Sequence, residues 1–206
     1  MSELVSANPV SPSDVEGGGL DALDLYLEDV KRVHVGKLID LPEFSRYDGR
    51  VEARVLLLFQ DPGRSGAAVS GVVDRGNDDP SAKAIRETED VLPRETTVSW
   101  NAIPWAQRGT VSEELMEVRR WELVPRLLDA LPEARVAILC GGVAHMLTVD
   151  VYEYAHRSGR DILVLHGPHP SNRGLNDRWF GRGARKRWLR KVMEQAHDHV
   201  SPRGDG

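Results

Sequence analysis

Five apolar residues in succession, Val55-Leu56-Leu57-Leu58-Phe59, stand out in a chain that elsewhere mixes apolar and polar positions. The run does not alternate, so it reads as a strand buried on both faces, over Arg54–Phe59, as in a parallel sheet. Shorter β-prone runs predict further strands over Thr97–Asn101, Arg135–Cys140 and Asp161–His166. Between them the period changes. Leu20, Leu23, Leu27, Val30 and Leu38 keep helical spacing from Leu20 to Ile39, and Leu41-Pro42 ends that run. Helices are also predicted over Ser81–Leu92, from about Val143, and over Gly183–Val200. The last has Trp188, Val192, Met193 and Ala196 on its inner side. Thr110 with Glu113 forms a capping box for another helix, bent or split near Pro125, which lacks an amide donor. Pro62 to Pro80 is a Gly- and Asp-rich loop whose length marks it as functional or disordered.

Strands separated by helices predict βαβ units and an α/β fold with a parallel sheet. Residues 1–19, ending in Gly17-Gly18-Gly19, carry no periodicity and read as a disordered N-terminal tail. Residues 20–200 read as one domain, with no internal repeat.

Composition narrows the class. Apolar residues make up 40% and charged ones 29% of the 206, the balance of an ordinary soluble domain. No apolar stretch approaches a membrane span and no signal peptide is visible. The single cysteine, Cys140, rules out an internal disulfide framework and any four-cysteine zinc or iron–sulfur site. A reduced setting fits, and the expected localisation is cytoplasmic. Cys140 follows an apolar run and is expected to be buried and inert. The net charge of −5 at first argues against nucleic acid, but its distribution changes that. Residues 157–206 hold 11 Lys/Arg against 5 Asp/Glu, whereas residues 1–50 hold 5 against 10.

The chemistry lies where the strands end. Gln60-Asp61-Pro62-Gly63 follows the first strand, Asn101-Ala102-Ile103-Pro104 ends the second, and His169-Pro170-Ser171 follows the fourth. Open α/β sheets place their sites at that edge. An Asp, an Asn and a His converging there suggest a site that reads a polar base and cleaves beside it. Taken singly, each motif also reads as a turn, a strand-end cap or a packed loop residue.

Taken in order, these residues resemble the two signature motifs and the base-reading asparagine of the uracil-DNA glycosylase superfamily, over roughly Arg54 to Gln195. The resemblance implies a three-layer αβα sandwich around a central four-stranded parallel sheet, with a DNA groove across the carboxyl ends of the strands. It implies hydrolysis of the bond between uracil, or a related deaminated base, and deoxyribose in DNA, as the first step of base-excision repair. No metal or cofactor is implied, and the expected working form is a monomer. The base must be flipped out of the stack into a pocket.

Residue chemistry agrees with those roles. Cleavage of an N-glycosidic bond leaves positive charge on the sugar and negative charge on the base. Asp61 can orient water and stabilise the sugar cation. A neutral His169 can donate a hydrogen bond to the base oxygen. Asn101 offers a donor and an acceptor matching the O4/N3–H edge of uracil, and Gln60 can add a backbone amide. Expected DNA contacts are Ser171, Asn172, Arg173 and Arg178, with the Gly141-Gly142 turn near the groove. That turn also reads as a phosphate site at the following helix N-terminus.

Departures from the pattern matter. Gly63 stands where the best-known branch has an aromatic residue that excludes thymine. No aromatic lies between Gln60 and Trp100 to stack the base, which leaves Trp105 or Trp179 as substitutes. Asn172-Arg173-Gly174 replaces the usual apolar wedge, so Arg173 or Leu175 must fill the vacated stack. His145 and His166 have no ligand-like spacing with other donors. Two rivals stay open: an N-glycosidase of free nucleosides or nucleotides, and a catalytically silent nucleic-acid-binding module of the same fold.

Overall fold

Side chains of strand β2 (Val55–Phe59) alternate between two cores. Leu56 and Leu58 enter one apolar cluster, Val55 and Leu57 enter another, and all four are fully buried. A strand that is apolar on both faces needs helices on both, and this dictates the layering. The structure is a computed structural model and describes residues 21–33, 41–106, 123–176, 181 and 183–201. Strand β2 lies between β4 (Thr97–Asn101) and β5 (Val136–Cys140), and β5 pairs outward with β6 (Leu163–Gly167). The order β4-β2-β5-β6 is parallel throughout. All four carboxyl ends therefore point to one edge.

Over one face lie α1 (Ala22–Val33), α4 (Val124–Asp129), α5 (Gly142–His145) and α6 (Thr148–Ser158), which contribute Leu23, Leu127, Ala144 and Val151 to one core. Over the other lie α3 (Pro80–Arg86) and α7 (Ala184–Val200), contributing Ile85, Leu189 and Met193 to the second. The molecule is thus α/β with a four-stranded parallel sheet flanked by helices, an arrangement compatible with a three-layer sandwich. Fully buried Trp100 anchors the first core, stacked on Phe44 with ring centres 3.8 Å apart.

Several boundaries differ from the sequence expectation. The first helix stops at Val33 among the described residues, and 34–40 lie outside them. The Pro62–Pro80 segment is not featureless: it holds α2 (Ala67–Ser70) and β3 (Val72–Val73), which pairs with β1 (Glu43–Phe44). Helix α3 ends at Arg86 rather than Leu92, where the Thr88 hydroxyl donates to the Ile85 carbonyl (2.7 Å) and closes the last turn. Pro125 stands in the first turn of α4, where its missing amide has no helical partner to lose. The helix expected from Val143 is two, because the Thr148 hydroxyl takes the His145 carbonyl (2.6 Å) at the break. Trp188 is not on the inner side of α7: it is 44% exposed, and Leu189 takes the inward position with Val192, Met193 and Ala196.

Cys140 is fully buried, and burial pushes its thiol up to about 12. Among the described residues no helix is long and apolar enough to cross a membrane. The expected tail and the Thr110–Glu113 box lie outside the described residues.

Candidate active site at the carboxyl edge of the sheet

Parallel pairing brings the three motifs together. Phe59 is in register with Asn101, and pairing continues past the strands: Ala102 N–H donates to the Phe59 carbonyl (2.7 Å) and Ile103 N–H to the Gln60 carbonyl (2.8 Å). On the other side Cys140 is in register with Gly167, and Gly141 N–H donates to the Gly167 carbonyl (3.0 Å). Two residues on stands His169. Asp61, Gly63, Asn101 and His169 all line one cavity of about 90 Å³. That is less than the roughly 150 Å³ apolar cavity that holds benzene, so the enclosed part suits an edge of one ring rather than a fused pair.

His169 is held in a defined state. Ser171 N–H donates to its Nδ1 (3.2 Å), so in the neutral ring the proton sits on Nε2 and Nε2 is a donor. Burial lowers its pKa, against the opposing pull of the Asp61 and Asp79 carboxylates, so the ring is neutral at pH 7. Two glycines make room for it. A Cβ at Gly141, whose φ is +91°, would stand 2.8 Å from the His169 Cβ. A Cβ at Gly174 would overlap the His169 carbonyl oxygen. Gly141 is thus a packing partner of His169, which explains the turn better than a phosphate site does.

Asn101 is 4% exposed, and its Nδ2 is buried with no hydrogen-bond partner. An orphaned buried amide costs about 1–3 kcal/mol, and a ligand acceptor in the cavity would remove that penalty. Ser99, one turn of the pleat below on the same face of β4, also has an unpartnered buried hydroxyl and lines the cavity. At Gly63 an added Cβ would meet nothing within 4 Å, so this wall is open.

Other expected residues sit differently. Gln60 is not in the cavity wall. Ser171 is used inside its own loop, its hydroxyl accepting from Gly174 N–H (3.2 Å). Asn172 and Arg173 are exposed. Arg178 and Trp179 lie outside the described residues. Trp105 is 4% exposed in the first core and is not in the cavity wall.

Phe59, which in the sequence only ends a buried strand, is a site residue that sequence reading misses. It lines the cavity, edge-on to the His169 ring at 6.4 Å, and so puts an aromatic ring in the cavity wall just before the motif. Sequence reading also misses Arg75, Asn77 and Asp79 from the long loop, which line the same cavity. Asp79 caps α3, accepting from Ser81 N–H (2.8 Å) and Ala82 N–H (3.1 Å), and Pro80 in the first turn fixes the entry. The wall is braced from behind by Arg94, which bridges Asp48 (3.0 Å) and Asp74 (2.8 Å). Asp48 lies so deep that burial pushes its carboxyl up to about 6.

No family model matches this chain, and no curated protein matches it either.

A larger cleft of about 670 Å³ opens at the amino edge of the sheet. Two of its three arginines are engaged by backbone carbonyls: Arg54 donates to that of Val200 (2.8 Å), and Arg160 to those of Leu128, Leu131 and Ala134. Chemistry favours the smaller cavity. Among the described residues no three His, Cys, Asp or Glu side chains group as a metal site.

Proposed function

We propose that this protein is a DNA glycosylase of the uracil-DNA glycosylase type, hydrolysing the bond between uracil, or a related deaminated base, and deoxyribose. One observation carries the reading: a neutral imidazole with its proton on Nε2, a buried amide without a partner and a carboxylate share one small cavity. In this mechanism the base enters edge first and the Asn101 amide meets its O4/N3–H edge. The C1′–N1 bond breaks with its electron pair on the base, and the Nε2–H of His169 stabilises the charge on the base oxygen. Asp61 stabilises the sugar cation and orients the water whose oxygen bonds C1′. The water proton passes to Asp61 and then to solvent.

A second reading has a specific observation in its favour. The charged residues of the cavity wall are Asp61, Asp74 and Asp79 against Arg75, a balance that repels phosphate. On α7, Lys186 is paired with Glu87 (3.2 Å) and Arg190 with Asp90 (2.6 Å). Both facts suit an N-glycosidase of free nucleosides. Salt separates the two. Activity on uracil-containing duplex should fall by roughly 0.9 log units per log unit of salt for each phosphate contacted, with free deoxyuridine a poor substrate. A flat salt profile with rapid cleavage of deoxyuridine would establish the nucleosidase instead.

A further inference from the structure

Two imidazoles stand together outside the cavity. His145 on α5 and His166 on β6 have ring centres 4.8 Å apart, tilted at 52°. Their hydrogen bonds fix both tautomers. His145 Nε2 faces the Gly167 carbonyl at 2.9 Å, an acceptor, so Nε2 donates. The Thr148 hydroxyl donates its one proton to the His145 carbonyl (2.6 Å), so at its 2.7 Å contact with His166 Nε2 it must accept. Each ring therefore carries its proton on Nε2 and a lone pair on Nδ1, and His166 is exposed.

We propose that His145 and His166 form a two-histidine site for a late first-row divalent transition ion such as Cu²⁺ or Zn²⁺, bound through the Nδ1 atoms and completed by water. Imidazole suits these ions and not Mg²⁺. With N–metal bonds of about 2.0–2.1 Å, each ring centre stands roughly 3.2 Å from a shared ion, so rings 4.8 Å apart can meet on one. The outer bonds are those that metal-binding histidines use, each second nitrogen donating to a carbonyl or hydroxyl.

The test is a titration of the tag-free chain with Cu²⁺, followed by electron paramagnetic resonance, with a Mg²⁺ arm. The expected result is one tightest equivalent with coupling to two nitrogens and no effect of Mg²⁺. His166→Ala and His145→Ala should each weaken it at least tenfold, and Thr148→Val by about 10–100-fold. His156→Ala, at an exposed histidine elsewhere on α6, should leave it unchanged. Since His166 is exposed, its variant keeps the fold, which a thermal melt checks. Equal affinity and stoichiometry in wild type and His166→Ala, or no bound equivalent, would overturn the proposal.

Discussion

Replacing Gly141 by Ala tests whether the position of His169 matters for chemistry. The backbone there, φ +91° with ψ 166°, is essentially glycine-only and already disfavours a side chain, at about 1–3 kcal/mol. The added Cβ would stand 2.8 Å from the His169 Cβ and 3.2 Å from its Cδ2. Ordinary carbon contacts are about 3.5–4.0 Å, so the imidazole must retreat by roughly 1 Å. A misplacement of that size costs about 10²-fold in rate, whereas the strain alone lowers stability without touching chemistry. The assay is single-turnover release of uracil from an oligonucleotide, with a thermal melt of the same variant. Gly142 supplies the control: a Cβ there meets nothing within 4 Å and it lies in the first turn of α5, so Gly142→Ala should be silent in both measurements. A Gly141→Ala protein that keeps the wild-type rate would refute the argument.

Asp61→Asn should remove most turnover while leaving affinity for uracil-containing DNA largely intact, which binding and rate measurements on one oligonucleotide would separate. His169→Ala should lower the rate about 10²–10³-fold. In the proposed mechanism the neutral ring is the working form; since burial lowers its pKa, the wild-type rate should be flat from pH 6.5 upward and fall only below the usual imidazole range. In linkage terms, the unfolded state takes up this proton first as pH falls below about 6.5, so His169 lowers stability there, and His169→Ala should flatten that part of the stability curve. Gly63→Tyr should fold, as its side chain enters open space, and should raise discrimination of uracil over thymine by roughly 10–200-fold, the worth of one methyl group.

What could be read from sequence follows from the physics of each element. The strand cores were legible because long apolar runs bound for a two-faced burial leave a clear pattern, and the motifs at their ends then fell at one edge. The pair β1 and β3 was not legible: two residues carry no period, and their partners lie far apart in the chain. Trp188 misled because it is one position from the true inner row, a rotation of about 100° on a helix. Phe59 looked like core because every residue before it is core; its place at the strand end makes it a wall of the cavity. The orphaned groups on Asn101 and Ser99 have no sequence signature, since only the fold decides which neighbours a buried amide or hydroxyl lacks.

The most direct test of the central reading is product analysis on an oligonucleotide carrying one uracil, comparing wild type with Asp61→Asn. The account expects free uracil and an abasic site in equal amounts from the wild type, and neither above background from the variant. A folded wild-type protein that binds the oligonucleotide yet releases no base, or a variant that matches it in rate, would contradict the account.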